Sequence, residues 1–137
     1  FTSDWSSDVC SSDLLNGGFT ITSDELIAAD IFLDEPSVTG TENAIMAAVC
    51  ARGQTRLRNA AAEPHVQDLC RLLNKMGARI EGIGTHVLEI EGVDELRGAD
   101  FSIGPDHIET GSFIGLAAVT RSDITIEHAP KIGRAHV

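Results

Sequence analysis

Two short polar runs stand directly ahead of apolar stretches, and that placement gives them chemistry. Glu35, Pro36, Ser37 and Val38 precede the apolar run 44–51. The first N–H groups of a helix have no intrahelical acceptor, and the aligned peptide dipoles leave that end partly positive. Such a loop attracts an anion, for example a diphosphate. Ser37 adds a hydroxyl donor. Capping of the helix by Thr39 or Thr41 accounts for the same letters without a ligand. Asp106, His107 and Glu109 stand likewise ahead of the apolar run 113–119. Asp and Glu three apart at a helix start fit a capping arrangement, which negative charge favours. Pure capping and a catalytic part are both compatible with these residues. His107 makes any cationic contact there pH-dependent.

Other reactive side chains carry less. His65 and His86 have no metal-ligand spacing with each other or with Cys70, so both are expected to be structural and no metal is expected. Cys50 and Cys70 lie in apolar periodic stretches and read as small buried hydrophobes in a reducing compartment. Arg52, Arg56, Arg58, Arg71 and Lys75 read as solvated faces. Asn59 and Glu63 look like a turn and helix-start pair. Gly82-Ile83-Gly84 is a hairpin signal rather than a phosphate loop.

The two ends are related through the genetic code. Asp8-Val9-Cys10-Ser11-Ser12-Asp13 can be encoded so that its reverse complement translates as Ile-Gly-Arg-Ala-His-Val, the run 132–137. Protein physics gives no reason for that relation, whereas one oligonucleotide in opposite orientations at both ends does. Asp4-Trp5-Ser6-Ser7 also looks like a translated library adapter. Residues 1–14 and 132–137 are therefore expected to be adapter-derived, with 1–14 disordered, and are set aside from the fold.

The full chain has 21 acidic and 10 basic residues. Setting aside Asp4, Asp8, Asp13 and Arg134 leaves 18 against 9. An acidic domain with scattered Lys and Arg argues against a nucleic-acid partner. No apolar run approaches the roughly 20 residues of a membrane span, so no membrane role is expected. Nothing in the letters sets an oligomeric state.

The elements that must position these residues follow from periodicity. The run 27–33 is β-branched enough for a strand, followed by a turn. The helix expected at 41–52 stops at Gly53. Residues 54–58 alternate, with Thr55 and Leu57 against Arg56 and Arg58, as a strand with one wet face does. A helix is expected at 63–76, with Pro64 in its first turn and Gly77 closing it. Short strands follow at 79–82 and 86–91. The order is βαβαββ. A second unit then starts, with a strand at 100–103, a helix at 108–120 and an alternating strand at 123–127. Met46-Ala47-Ala48-Val49 echoes Leu116-Ala117-Ala118-Val119, and 55–60 echoes 124–129, which marks repeated units.

The helices read as apolar all round, which requires burial on every side. The strands show one wet face. A doubly wound parallel sheet has the reverse pattern. The expected architecture is therefore α/β with helices inside and sheets outside, and one and a half such units make a poor independent domain.

Three separated runs, LDEPSVTGTENAIMAAV (33–49), NAAAEPHVQDLCRLLNKMGARIEGIGTHVLEIEGVDEL (59–96) and PDHIETGSF (105–113), resemble the enolpyruvyl transferase family in order and spacing. Within it they are closer to members acting on UDP-N-acetylglucosamine than to shikimate-pathway members. The resemblance implies a fragment of an inside-out α/β barrel built from βαβαββ repeats. It implies that 15–104 is the last part of the first domain and 105–131 the start of the second. It implies transfer of enolpyruvyl from phosphoenolpyruvate to the 3-hydroxyl of UDP-N-acetylglucosamine, in the cytoplasm, for peptidoglycan precursors, without metal or organic cofactor. It places UDP-sugar contacts on Glu35, Pro36, Ser37 and Val38, and the interdomain crossover on Asp106, His107 and Glu109. Glu35 stands where some members carry Lys, and His107 where many carry Arg. The family's catalytic parts are a Lys-Asn pair, a Cys on a mobile loop, a phosphate-gripping Arg and an Asp of the second domain. None has a matching position here, so no catalytic residue is assigned.

Overall fold

The computed structural model describes residues 25–129 with their side chains and residues 10–15 and 18–23 as backbone. Of the residues read above as adapter, 1–9 and 132–137 lie outside the described residues, while 10–14, expected to be disordered, fall within a strand. Strands β1 (Cys10–Leu15) and β2 (Gly18–Ser23) pair antiparallel, apart from the main sheet.

The central unit runs β3 (Asp30–Phe32), α1 (Val38–Ala48), β4 (Gln54–Arg58), α2 (Pro64–Lys75), β5 (Arg79–Glu81) and β6 (Val87–Glu91). This is the βαβαββ order expected from the sequence. The strands form one sheet in the order β3-β4-β6-β5, with β3 and β4 parallel and the other pairs antiparallel. Ile27 adds a parallel bridge to Arg52 ahead of β3.

Strand alternation decides which face is dry. Thr55 and Leu57 of β4, Ile80 of β5, and Leu88 and Ile90 of β6 are buried, while their neighbours along each strand are wholly or partly exposed. The register puts Leu57 opposite Leu88 and Ile90 opposite both Thr55 and Ile80. Ile45, Ala48 and Val49 from the first helical segment and Val66, Cys70 and Leu73 of α2 close the core over that face. The other face carries Asp30–Arg58, Arg56–Glu89 and Arg79–Glu91 ion pairs in water. Helices α1 and α2 thus cover one face of the sheet and leave a charged, wet face on the other, which is compatible with sheets on the outside.

Local signals set the ends of α2. Glu63 is its N-cap residue, Pro64 sits in the first turn, and Gly77 follows the C-cap with φ +107°. Asn74 clamps β5 with a pair of 2.9 Å hydrogen bonds to the Ile80 backbone. Helix α1 starts three residues before the expected boundary because Ser37, not Thr41, caps it.

The second unit is formed only in part. Helix α3 spans His107–Thr120, but neither 100–103 nor 123–127 forms a strand. In the first unit β4 lies between two partners. The run 123–127 finds none among the described residues, and a strand's backbone groups need a ladder to hold them. All-round burial of the helices is likewise not met. On α1 only Thr41, Ile45 and Ala48 are buried, with Met46 49% exposed. On α3 only Thr110 is buried, while Ile108, Phe113, Ile114, Leu116 and Val119 stand in solvent. Cys50 is exposed rather than buried. Helix α1 has ended by Ala48, and the turn that follows carries Cys50 off the core.

Candidate functional site

Three helix N-termini meet at one end of the piece. At α1, Ser37 has extended backbone (φ −68°, ψ 128°), and its Oγ accepts from the Gly40 N–H at 3.2 Å. Its own N–H donates to the Glu35 carbonyl at 2.8 Å, which curls the loop ahead of the helix. A hydroxyl has two acceptor sites and one donor, so accepting from Gly40 leaves the Ser37 hydroxyl able to make a second bond. Thr39 Oγ1 lies 3.4 Å from Ser37 Oγ. The N–H groups of Val38 and Thr39, in the first turn, precede any intrahelical acceptor. Glu35 and Pro36 are exposed, Ser37 and Val38 half-buried, and Val38 packs against the core. Pro36 lacks an N–H and fixes its φ, which stiffens the approach to the cap.

Asn59 anchors this loop from behind. It takes the left-handed conformation at φ 58°, and its Nδ2 donates to the Leu33 carbonyl at 2.8 Å. Asn tolerates that conformation better than most residues. Thr41 is fully buried, and its Oγ1 accepts from the buried Ala61 N–H at 2.9 Å. That bond ties the first turn of α1 to the segment entering α2. The Thr41 hydroxyl therefore works across the fold rather than as a cap.

At α2, Glu63 makes no side-chain capping bond, and its Oε2 is buried without a hydrogen-bond partner among the described residues. Two residues on, the His65 ring stacks on the His107 ring, with centroids 5.8 Å apart and planes 12° from parallel. That contact brings the start of α3 to the start of α2. Asp106 caps α3, its Oδ1 accepting from the N–H groups of Ile108 at 2.8 Å and Glu109 at 3.2 Å. Those bonds, from Glu109 first and then Ile108, hold the Asp106 carboxyl below the ordinary aspartate value. Thr110 Oγ1 donates back to the Asp106 carbonyl at 2.8 Å. Glu109 is exposed in the first turn.

The two residue sets picked from the sequence thus sit at neighbouring helix mouths, joined through α2. Open first-turn N–H groups favour an anion at the α1 mouth, whereas the Asp106 carboxylate already occupies the α3 mouth. Sequence reasoning left out Asn59 as a loop anchor, Thr41 as the joint between helices, and the unsatisfied Glu63 oxygen. Only Asn59, a turn-former at the end of an alternating strand, carried a local signal.

The other candidates fall outside this end. His86 Nδ1 lies 2.9 Å from the Ala60 carbonyl, a structural contact. Burial pushes the Cys70 thiol up to about 11, which leaves it inert at neutral pH. Among the described residues no group of three or more His, Cys, Asp or Glu can hold a metal, and no helix is long and apolar enough to cross a membrane.

The mixed α/β architecture is consistent with the family that comparison with known proteins returns. Residues 10–134 match the family model described as EPSP synthase (3-phosphoshikimate 1-carboxyvinyltransferase), and the chain belongs to that family. Its similar relatives narrow the class. A UDP-N-acetylglucosamine 1-carboxyvinyltransferase of Treponema pallidum is 58% identical over 112 residues, covering 82% of this chain and 26% of the relative. The protein of that name from Treponema denticola is 60% identical over 108 residues, covering 79% and 25%. That from Bradyrhizobium diazoefficiens is 62% identical over 105 residues, covering 77% and 24%. The chain spans about a quarter of the length of these curated relatives.

Proposed function

We propose that this chain is an internal part of an enzyme that transfers enolpyruvyl from phosphoenolpyruvate to the 3-hydroxyl of UDP-N-acetylglucosamine. The bond between the enol carbon and the phosphate oxygen breaks, a bond from that carbon to the sugar oxygen forms, and phosphate leaves. The observation that carries the proposal is the Ser37 cap on α1, whose Oγ accepts from the Gly40 N–H and lies 3.4 Å from Thr39 Oγ1, beside the open first-turn N–H groups of Val38 and Thr39. Glu35, Pro36, Ser37 and Val38 contact the UDP-sugar, with the diphosphate over the α1 mouth. The Glu35 charge repels a diphosphate, so its part falls toward the nucleoside. Asp106, His107 and Glu109 form the crossover into the second domain. On this proposal 15–104 closes the first domain, 105–131 opens the second, and the outermost residues are adapter-derived. The relatives' shared name, at 58% and 60% identity, supports UDP-N-acetylglucosamine as the acceptor.

The enzyme serves peptidoglycan precursor synthesis, and with it cell shape, in the cytoplasm. No residue here takes the acid–base work at the sugar hydroxyl, so the 137-residue chain alone is inactive. The test is phosphate release from phosphoenolpyruvate. The isolated chain gives none with either acceptor. The complete enzyme releases phosphate with UDP-N-acetylglucosamine and not with shikimate 3-phosphate. Turnover with shikimate 3-phosphate instead contradicts the proposed acceptor, and turnover by the isolated chain contradicts the proposed division of labour.

A further inference from the structure

Between β6 and α3 the chain runs back along α2 in the opposite direction and is held to it at successive points. The Arg97 N–H donates to the Met76 carbonyl at 2.7 Å. Lys75 Nζ donates to the Asp100 carbonyl at 3.3 Å and lies 5.4 Å from the centre of the Phe101 ring. The Gly104 N–H donates to Asp68 Oδ2 at 3.1 Å, and His107 stacks on His65. Residues 65, 68 and 75 fall on one stripe of the helix, away from Val66, Cys70 and Leu73, which face the core. The lengths agree. The seven steps along the helix from 68 to 75 rise about 10 Å, and the four steps along the strap from 100 to 104 reach about 13 Å when extended. At Gly104 the approach leaves little room for a side chain, since a Cβ there would lie 2.8 Å from Asp68 Oδ2.

This strap governs α3. Thr110 is the one buried residue of α3 among those described, so α3 packs little against the first unit. We infer that His65 and Asp68 are positioning residues that latch the strap on α2 and thereby set where Asp106 and His107 stand. The inference rests on the proposal that the crossover borders the substrate site. Asp68 suits the task because its carboxylate divides its oxygens. Oδ2 takes Gly104, while Oδ1 is fixed by Arg71 Nη1 at 2.8 Å. His65 suits it because a flat ring near the helix start presents a face to His107 without obstructing the turn.

The experiment uses the full 137-residue chain and no substrate, so its outcome is separate from that of any binding test. Amide exchange is followed by NMR at Gly104, with Cys70 and Leu73 as internal controls. Asp68→Ala is expected to speed Gly104 exchange about tenfold, as the loss of one charge-assisted hydrogen bond does. Arg71→Ala is expected to change it less than about threefold, since Oδ2 keeps its partner. His65→Ala is expected to abolish the ring-current shift of the His107 ring protons, and His65→Phe to restore it. Ala is the better helix former, so loss in His65→Ala cannot come from a weaker α2. Unchanged Gly104 exchange in Asp68→Ala overturns the inference. So does His65→Phe behaving like His65→Ala, or an equal loss of protection at Cys70 and Leu73.

Discussion

Thr41→Val tests whether α1 and α2 are joined as described. The two side chains share a branched shape and similar helix propensity, so the change is the hydroxyl. Thr41 is fully buried and Ala61 is 3% exposed. Without Oγ1 the Ala61 N–H, 2.9 Å away in the parent, keeps no acceptor and no route to water. Leaving a buried donor unmade costs about 1–3 kcal/mol, and the near-complete burial places this site around 2 kcal/mol. With a slope of about 1–2 kcal/mol per molar in urea, the midpoint falls by about 1–2 M. Thr41→Ser keeps the oxygen and loses one methyl, at a cost of about 1 kcal/mol. The assay is urea unfolding of all three chains, with the Ala61 amide followed by hydrogen exchange. Ala61 protection should collapse in the Val variant and persist in the Ser variant. A Val variant within about 0.5 kcal/mol of the parent, with Ala61 still protected, refutes the joint.

Ser37→Ala removes the cap acceptor and the hydroxyl that pairs with Thr39 together, so unfolding should become easier by about 1 kcal/mol. If the proposed function holds, calorimetry on the complete enzyme should show UDP-N-acetylglucosamine binding weakened about five- to tenfold, one hydrogen bond's worth. Gly82 has φ +78°, and an added Cβ would strike the Val87 carbonyl oxygen. Gly82→Ala should therefore cost about 3 kcal/mol or more in urea unfolding, well above the usual cost of a surface change. The Asp106 carboxyl is held below its ordinary value in the folded chain by the Glu109 and Ile108 N–H groups. Its contribution to α3 is thus fully present above the ordinary aspartate range and is lost as pH falls through the lowered folded value. The Glu109 and Ile108 amide signals should report that transition, and Asp106→Ala should remove it. Cys70 is raised to about 11, so the fold favours its neutral thiol. That contribution is complete below the unfolded value and is lost as pH climbs from about 9 to about 11. At pH 8 a thiol reagent should label exposed Cys50 quickly and Cys70 only on unfolding.

What the letters carry locally came through. The alternation Thr55/Leu57 against Arg56/Arg58 places β4 at Gln54–Arg58 to the residue. Pro64 and Gly77 bracket α2. Asp106 caps α3 as its position ahead of the apolar run implies. The misses are all tertiary. Thr41 reads as a helix-start residue, yet its hydroxyl bonds Ala61 across 20 positions of sequence, and the cap falls to Ser37. The runs 100–103 and 123–127 have strand-like letters, but pairing is settled by partners that periodicity does not supply. Cys50 shares its apolar neighbourhood with Val49, which is 1% exposed; the end of α1 at Ala48 separates their fates. The His65–His107 stack spans the whole strap and leaves no trace in local spacing.

Hydroxyl-radical footprinting of this chain beside the complete enzyme addresses the arrangement of layers most directly. Met46 of α1 and Phe113 of α3 are 49% and 45% exposed here, and Phe32 of β3 is 59% exposed. With helices inside and sheets outside, Met46 and Phe113 react in the isolated chain and become protected in the complete enzyme, while Phe32 reacts in both. Protection of Phe32 with continued oxidation of Phe113 in the complete enzyme would place the sheet inside and contradict the account.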